Sequence, residues 1–155
     1  MASLAVKPEL ASQKEFMVFR VGSEEFSVDV TQVREARIFT SAARIPHAPD
    51  YIRGVINLRG TILPIVDLRA RLRLASPERE EKSVVVVVVV HDKLLGILVD
   101  EVCDIVAAPE EAIKAAPSVE DETIRELVKA LITIGDRVIG LVALEQIFPG
   151  HKGDP

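Results

Sequence analysis

The residues of this chain that could do chemistry are few and poorly placed for it. Asp67 and Asp100 each follow an apolar run, in VDL and VDE contexts. Two carboxylates brought together can share a proton and activate water. The alternative is that each caps a short helical turn, because a side-chain oxygen there accepts from the next amides. The Asp-Thr/Ser-Gly loop of an aspartic protease is missing, which favours capping. Cys103, the lone cysteine, stands in an apolar stretch with no histidine nearby in sequence. A lone thiol forms no internal disulfide, so packing as a small hydrophobe in a reducing compartment is the simplest expectation. His47, His91 and His151 lack metal-ligand spacing, and His47 follows Pro46 in a loop. There is no Gly-x-Ser-x-Gly elbow and no glycine-rich phosphate cradle. These readings predict neither catalysis nor a cofactor or metal.

The elements that would position such residues are β-hairpins. Four segments repeat one plan: apolar strand, turn, apolar strand, acid. They run Phe16–Val21, Gly22-Ser23, Phe26–Val28 and Asp29; then Val55–Leu58, Arg59-Gly60, Ile62–Val66 and Asp67. The third is Val84–Val90, Asp92-Lys93, Leu94–Val99 and Asp100; the fourth is Leu131–Ile134, Gly135-Asp136, Val138–Leu144 and Glu145. Each closing acid is expected to cap a helical turn. Short hairpins at this spacing predict an all-β sandwich or barrel. Pro64 cannot donate to a ladder, so an edge or a bulge is expected there. The unbroken valine run predicts a central strand buried on both faces.

A chain of 155 residues makes one domain, or two small lobes sharing a core. With 48% hydrophobic residues and only 4% aromatic, that core is aliphatic. The net charge of -5 argues against nucleic acid, which demands a basic face. The opening MASLAVKPELASQ has no apolar signal-peptide region, and the longest valine run is seven residues against the roughly 20 of a membrane helix. A soluble, unexported, cytoplasmic protein without direct membrane insertion is expected. Residues 1–14 and 151–155 read as flexible tails around one domain, 15–150. The charged stretch Ala75–Lys82 reads as a loop separating two lobes. After Pro117, Ser118–Leu127 reads as a loop and a short helix. Arg59, beside Gly60, and Glu35, in the helical turn after the first hairpin, are candidates for a partly buried ion pair that locks a turn.

The span YIRGVINLRGTILPIVDLRARL, Tyr51–Leu72, packs two β-type runs, two glycines and four arginines together. It closely resembles the signature of the CheW family of bacterial chemosensory adaptors. The resemblance extends to EFMVFRVGSEEFSVDVTQVREAR, VVVVVVVHDKLLGILVDEVCDIV and ITIGDRVIGLVALEQIF, and so spans Glu15–Phe148. It implies two intertwined five-stranded SH3-like β-barrels with short helical turns. It also implies a non-enzymatic coupler, which binds the cytoplasmic tip of methyl-accepting chemoreceptors and the regulatory domain of the histidine kinase CheA. Other CheW-like domains in array rings are further implied partners, and recruitment to membrane-associated arrays is the implied location. By motif position, receptor binding falls to a groove at Val33, Val84, Val102 and Ile105, with Arg53, Gly54, Asn57 and Arg59 beside it. Read without the resemblance, such β-branched strand residues are more often core than interface. Kinase binding falls to Glu35, Ala36, Arg37 and Ile38 on the first lobe; Ala36 stands where a bulkier aliphatic residue is expected. The alternative within this class is a scaffold of a non-flagellar pathway serving pili or development.

Overall fold

The structure, a computed structural model, describes residues 13–74, 83–115 and 122–148. Of the tails expected at 1–14 and 151–155, all but Gln13 and Lys14 lie outside them, as do the loop at 75–82 and the break at Pro117. The described chain is mostly strand: β1 (Lys14–Val21), β2 (Glu24–Asp29), β3 (Val33–Ile38), β4 (Ile52–Leu58), β5 (Thr61–Asp67), β6 (Val84–Val90), β7 (Lys93–Val99), β8 (Glu101–Ala108), β9 (Ile113–Ala115), β10 (Val128–Ile134) and β11 (Arg137–Val142). The helices are short: α1 (Leu68–Arg71), α2 (Glu122–Leu127) and α3 (Leu144–Ile147).

Four hairpins carry the fold: β1–β2, β4–β5, β6–β7 and β10–β11. Positive φ at their turns matches the right-handed strand twist. Gly22 (65°), Arg59 (50°) with Gly60 (92°), and Gly135 (58°) supply it where expected. The third turn is corrected by one residue. It is His91-Asp92, at φ 52° and 65°, rather than Asp92-Lys93. With no glycine to mark it, the sequence hid a turn built on histidine and aspartate, two types that tolerate left-handed backbone.

The hairpins join in pairs through parallel strands. One sheet runs β8-β1-β2-β11-β10-β9 and the other β3-β6-β7-β5-β4. In both, a hairpin (β1–β2 or β6–β7) lies parallel to the second strand of another (β11 or β5). Each lobe then borrows its edge strand. The strand that follows β2 pairs with β6, and the strand that follows β7 pairs back onto β1. Five strands of each lobe are therefore equivalent, and β9 is an addition to one. This reciprocal exchange is the physical content of "intertwined". The strands on either side of 75–82, β5 and β6, belong to the same sheet, so the two lobes do not divide there.

Three cores follow from this topology. Phe16, Val18, Val106, Ile132, Ile139 and Leu141 fill the six-stranded lobe, and Leu58, Leu63, Ile65, Val85, Val87 and Leu98 fill the five-stranded one. Between them lies a shared core with Phe19, Val21, Phe26, Val66, Val86, Val88, Ile97 and Leu144. The valine strand feeds Val85 and Val87 to one core and Val86 and Val88 to the other, as a strand buried on both faces must. Gly96 leaves room for this packing, since a Cβ there would lie 2.4 Å from Ile65 Cδ1. Pro64 lies on an interior strand, not an edge. Its missing N–H goes unneeded, because the β5–β7 ladder begins at Ile65.

Candidate functional site

The acids that could have formed a dyad are fully engaged in holding the chain. Asp67 Oδ1 accepts from the Arg69 and Ala70 amides at 3.1 and 3.4 Å, the expected cap of α1, and Oδ2 meets Arg53 at 3.3 Å. Asp29 accepts from the Thr31 amide at 2.9 Å and caps the turn at Val30–Gln32 as expected. Asp100 departs from expectation. It precedes β8 rather than a helical turn, accepts from the Gly22 amide at 2.7 Å, and pairs with Arg69. It therefore ties the tip of the first hairpin to α1. Glu145 lies inside α3, where Ala143 takes the N-cap position, and reaches Lys129 at 3.9 Å. Each carboxylate of the supposed Asp67–Asp100 pair answers to its own arginine and its own backbone amides, so the two serve separate structural ties.

Cys103 is half-buried on β8, and its Sγ lies 3.9 Å from an Arg20 nitrogen. Burial pushes its thiol pKa up, against the weaker opposing pull of Arg20. A thiol held protonated is a poor nucleophile.

The signature hairpin is built to hold a shape. Arg53 sits at a bulge between Ile52 and Gly54, pairs with Asp67, and lies 5.3 Å from the Phe39 ring. Gly54 is buried at φ 141°, and a Cβ there would stand 2.2 Å from the Ala43 carbonyl oxygen. Only glycine allows that approach, which seats the Ala43–Val55 bridge. Asn57 Oδ1 accepts from the Gly60 amide at 2.8 Å and pins the turn. Arg59 projects outward from that turn, with its side chain 70% exposed, and meets Glu35 at 2.9 Å. The pair exists, but on the surface rather than partly buried, and Glu35 belongs to β3, not to a helical turn.

The remaining candidates divide by burial. Val33, Val84 and Val102 are partly buried against the shared core, at the margin between the lobes. Ile105 is 54% exposed on β8. Glu35, Ala36, Arg37 and Ile38 all lie on β3, the edge of the five-stranded sheet, with Ile38 69% exposed. A cleft of about 350 Å³ opens here, lined by Arg37, Ile38, Phe39, Thr40, Ser41, Val55, Ile56, Asn57 and Val85. It brings the β3 residues against the signature hairpin, at the seam where the two edge strands of one lobe meet.

Sequence reading missed a second groove, of about 530 Å³, lined by Ile62, Pro64, Leu94, Leu95 and Phe148 among others. Its signal was present in β5. Leu63 and Ile65 occupy the inward phase of the strand, so Ile62 and Pro64 point out. Ile62 is 60% exposed as a result.

Comparison with known proteins follows this geometry. The model of the CheW-like domain matches residues 15–151. The chain belongs to the CheW-like domain family. It is 40% identical over 146 residues to the "Probable chemotaxis protein CheW" of Rhizobium etli, covering 94% of each chain. It is 36% identical to the "Chemotaxis protein CheW" of Klebsiella aerogenes, covering 98% of this chain and 93% of that one. "Protein PilI" of Pseudomonas aeruginosa matches at 32% over 102 residues, 65% of this chain and 57% of that one. Among solved structures, the scaffolding protein TtCheW from Thermoanaerobacter tengcongensis superposes with a TM-score of 0.81 at 28% identity, over 88% of this chain and 92% of that one. The CheW-like family is known for scaffolds and adaptors rather than enzymes; the solved relative is named a scaffolding protein, and the Rhizobium and Klebsiella relatives are named chemotaxis proteins. Among the described residues, no helix is long and apolar enough to cross a membrane.

Proposed function

We propose that this chain is a non-enzymatic chemotaxis adaptor that couples methyl-accepting chemoreceptors to the histidine kinase CheA. The observation that carries the reading is the CheW-like match across nearly the whole chain. The chemistry of the surface supports it. The acids and the thiol are committed to structure, while Ile38, Ile62 and Ile105 stay open to a partner. Residues 15–150 act as the adaptor domain, in the cytoplasm, recruited to receptor arrays and to rings with other CheW-like domains.

The receptor tip, a helical hairpin, docks at the lobe margin. Val33, Val84 and Val102 form its floor and Ile105 an apolar contact, while Arg53, Gly54, Asn57 and Arg59 hold the adjoining hairpin. The kinase regulatory domain docks along β3 at Glu35, Ala36, Arg37 and Ile38. Many weak contacts gain strength by repetition in an array. The adaptor passes receptor state to the kinase through contacts that differ between states. A non-flagellar pathway is the second reading, supported by the shorter match to PilI.

Calorimetry of the full chain against a cognate receptor cytoplasmic fragment and a CheA regulatory domain tests this. Binding to both is expected. Ile105→Glu should weaken the receptor alone and Ile38→Glu the kinase alone. Binding to neither partner overturns the proposal.

A further inference from the structure

The two lobes match residue for residue along their seams. In β3, a register shift separates Val33, opposite Val88, from Glu35, opposite Val87. In β8, the same shift separates Val102, opposite Phe19, from Asp104, opposite Val18. Glu35 and Asp104 are thus equivalent acids, each aimed by a one-residue bulge. Each meets an arginine from the tip of the facing hairpin: Arg59 for Glu35, Arg137 for Asp104.

The stoichiometry of the two clusters is opposite. In the six-stranded lobe, one guanidinium serves two carboxylates. Arg137 donates to Asp104 twice at 3.0 Å and to Glu25 at 3.1 and 3.3 Å. In the five-stranded lobe, two guanidiniums serve one carboxylate. Arg59 holds Glu35 at 2.9 Å, and Arg37 reaches it only at 3.5 Å, the outer limit of a hydrogen bond. Among the described residues, the second cluster is short of one acid.

The space for that acid is open in this lobe alone. In the six-stranded lobe, β9 pairs along Ala130–Ile132, and Ala112 O accepts from Thr133 Oγ1 at 3.5 Å. The equivalent stretch of β4, Gly54–Ile56, has the same bulge and register against its own hairpin partner. It is met by a single bridge, Ala43–Val55. Phe39, Thr40 and Ser41 stand off from Asn57, and the 350 Å³ cleft is the result. Arg37 is the one charged residue of its lining, and the neighbouring cluster sets two guanidiniums, Arg37 and Arg59, against one carboxylate, Glu35.

We propose that this cleft takes a carboxylate-bearing, extended segment of the kinase regulatory domain. Arg37 receives its Asp or Glu, and Ile38, Ile56 and Val85 cover a neighbouring apolar side chain. The proposal deepens the adaptor reading and rests on it. Charge complementarity selects the occupant: the under-used Arg37 guanidinium, flanked by polar Thr40, Ser41 and Asn57, favours an acidic segment over a basic or purely apolar one.

The test is calorimetry of wild type, Arg37→Glu and Arg37→Lys against the CheA regulatory domain and the receptor fragment, at low and high salt. Thermal melting serves as the fold check, and sedimentation reports self-association. Arg37→Glu should weaken kinase binding by about tenfold or more, with an unchanged melt and receptor affinity within about twofold. Arg37→Lys should retain part of the affinity, and added salt should narrow the gap between the variants. A folded Arg37→Glu variant with unchanged kinase affinity overturns the proposal. So does a variant that loses only self-association, because a second copy would then be the occupant. Wild-type protein that binds neither partner refutes the adaptor reading itself.

Discussion

Replacing Gly54 with alanine should break the closure of the five-stranded lobe. Two costs add. The backbone sits at φ 141°, where an L-residue is strained by about 1–3 kcal/mol. The new Cβ would also lie 2.2 Å from Ala43 O and 2.8 Å from Ala43 C. Both atoms are backbone, so the Ala43 segment must retreat. Its retreat breaks the paired hydrogen bonds with Val55, at 2.8 and 2.9 Å, each worth about 1 kcal/mol net. The sum is about 3–5 kcal/mol, a large part of the 5–15 kcal/mol typical of a domain. For a chain of this size that lowers Tm by about 6–20 °C. Gly60→Ala is the control. It keeps a positive φ of 92° but meets nothing within 4 Å, so it should lose only about 1 kcal/mol. Urea unfolding gives the energies, and hydrogen exchange at the Val55 amide reports the bridge. A Gly54→Ala loss below about 1 kcal/mol with Val55 protection intact would refute the reasoning.

Two further perturbations probe the ties between and within lobes. Arg71 donates to the Ile147 and Gln146 carbonyls at 3.0 and 3.1 Å and stacks 4.6 Å from the Tyr51 ring. Arg71→Ala should therefore lower stability by about 2 kcal/mol in urea unfolding, and Arg71→Lys should rescue little of it. Asp104 titrates below the ordinary carboxylate range, first because Arg137 hydrogen-bonds to it. Its small, solvent-screened contribution is complete above the unfolded pKa of about 3.9 and fades as pH falls through the lower folded value. Carbon-13 titration should show the Asp104 midpoint rising in Arg137→Ala; an unmoved midpoint would assign the shift to another cause.

The hairpins were legible in the sequence because their causes are local. Apolar strands alternate with turns, and Gly22, Gly60 and Gly135 mark three of the four. The third turn was misplaced because His91 and Asp92 adopt positive φ without a glycine to announce it. The Asp29 and Asp67 caps were readable since donor and acceptor lie two or three residues apart. Asp100 was misread because its amide partner, Gly22, is 78 residues away. The same blindness to distant pairing made Ala75–Lys82 resemble a boundary. Strand exchange leaves no trace in any window, since it depends on which edge a strand joins, not on its composition. Arg59 with Glu35 was foreseeable as chemistry but not as geometry: the residue types suit a pair, while exposure is set by where the hairpin tip ends. The seam cleft was not readable at all, because it is what one connector leaves unfilled.

The parallel pairing of β2 with β11 sets a schedule for the chain as it is made. Phe26 and Ser27 meet Gly140 and Leu141, more than a hundred residues later. The first hairpin leaves the ribosome early, yet both of its sheet neighbours, β8 and β11, are still to come. The six-stranded lobe cannot complete itself until β11 is made, and such long-range pairing folds slowly, whereas the five-stranded sheet has all its strands once Val99 is out. The run Val84–Val90, which ends buried on both faces, emerges while β8 to β11 remain unmade. β3 and β7 can pair with this strand early, but Val86 and Val88 face a shared core that is finished by later residues such as Val142 and Leu144, and an apolar face left open is prone to pair with a sister chain. The architecture that welds the two lobes together therefore makes the nascent chain vulnerable until its last strand is released, and yield of folded protein should depend on synthesis rate and on holding chaperones.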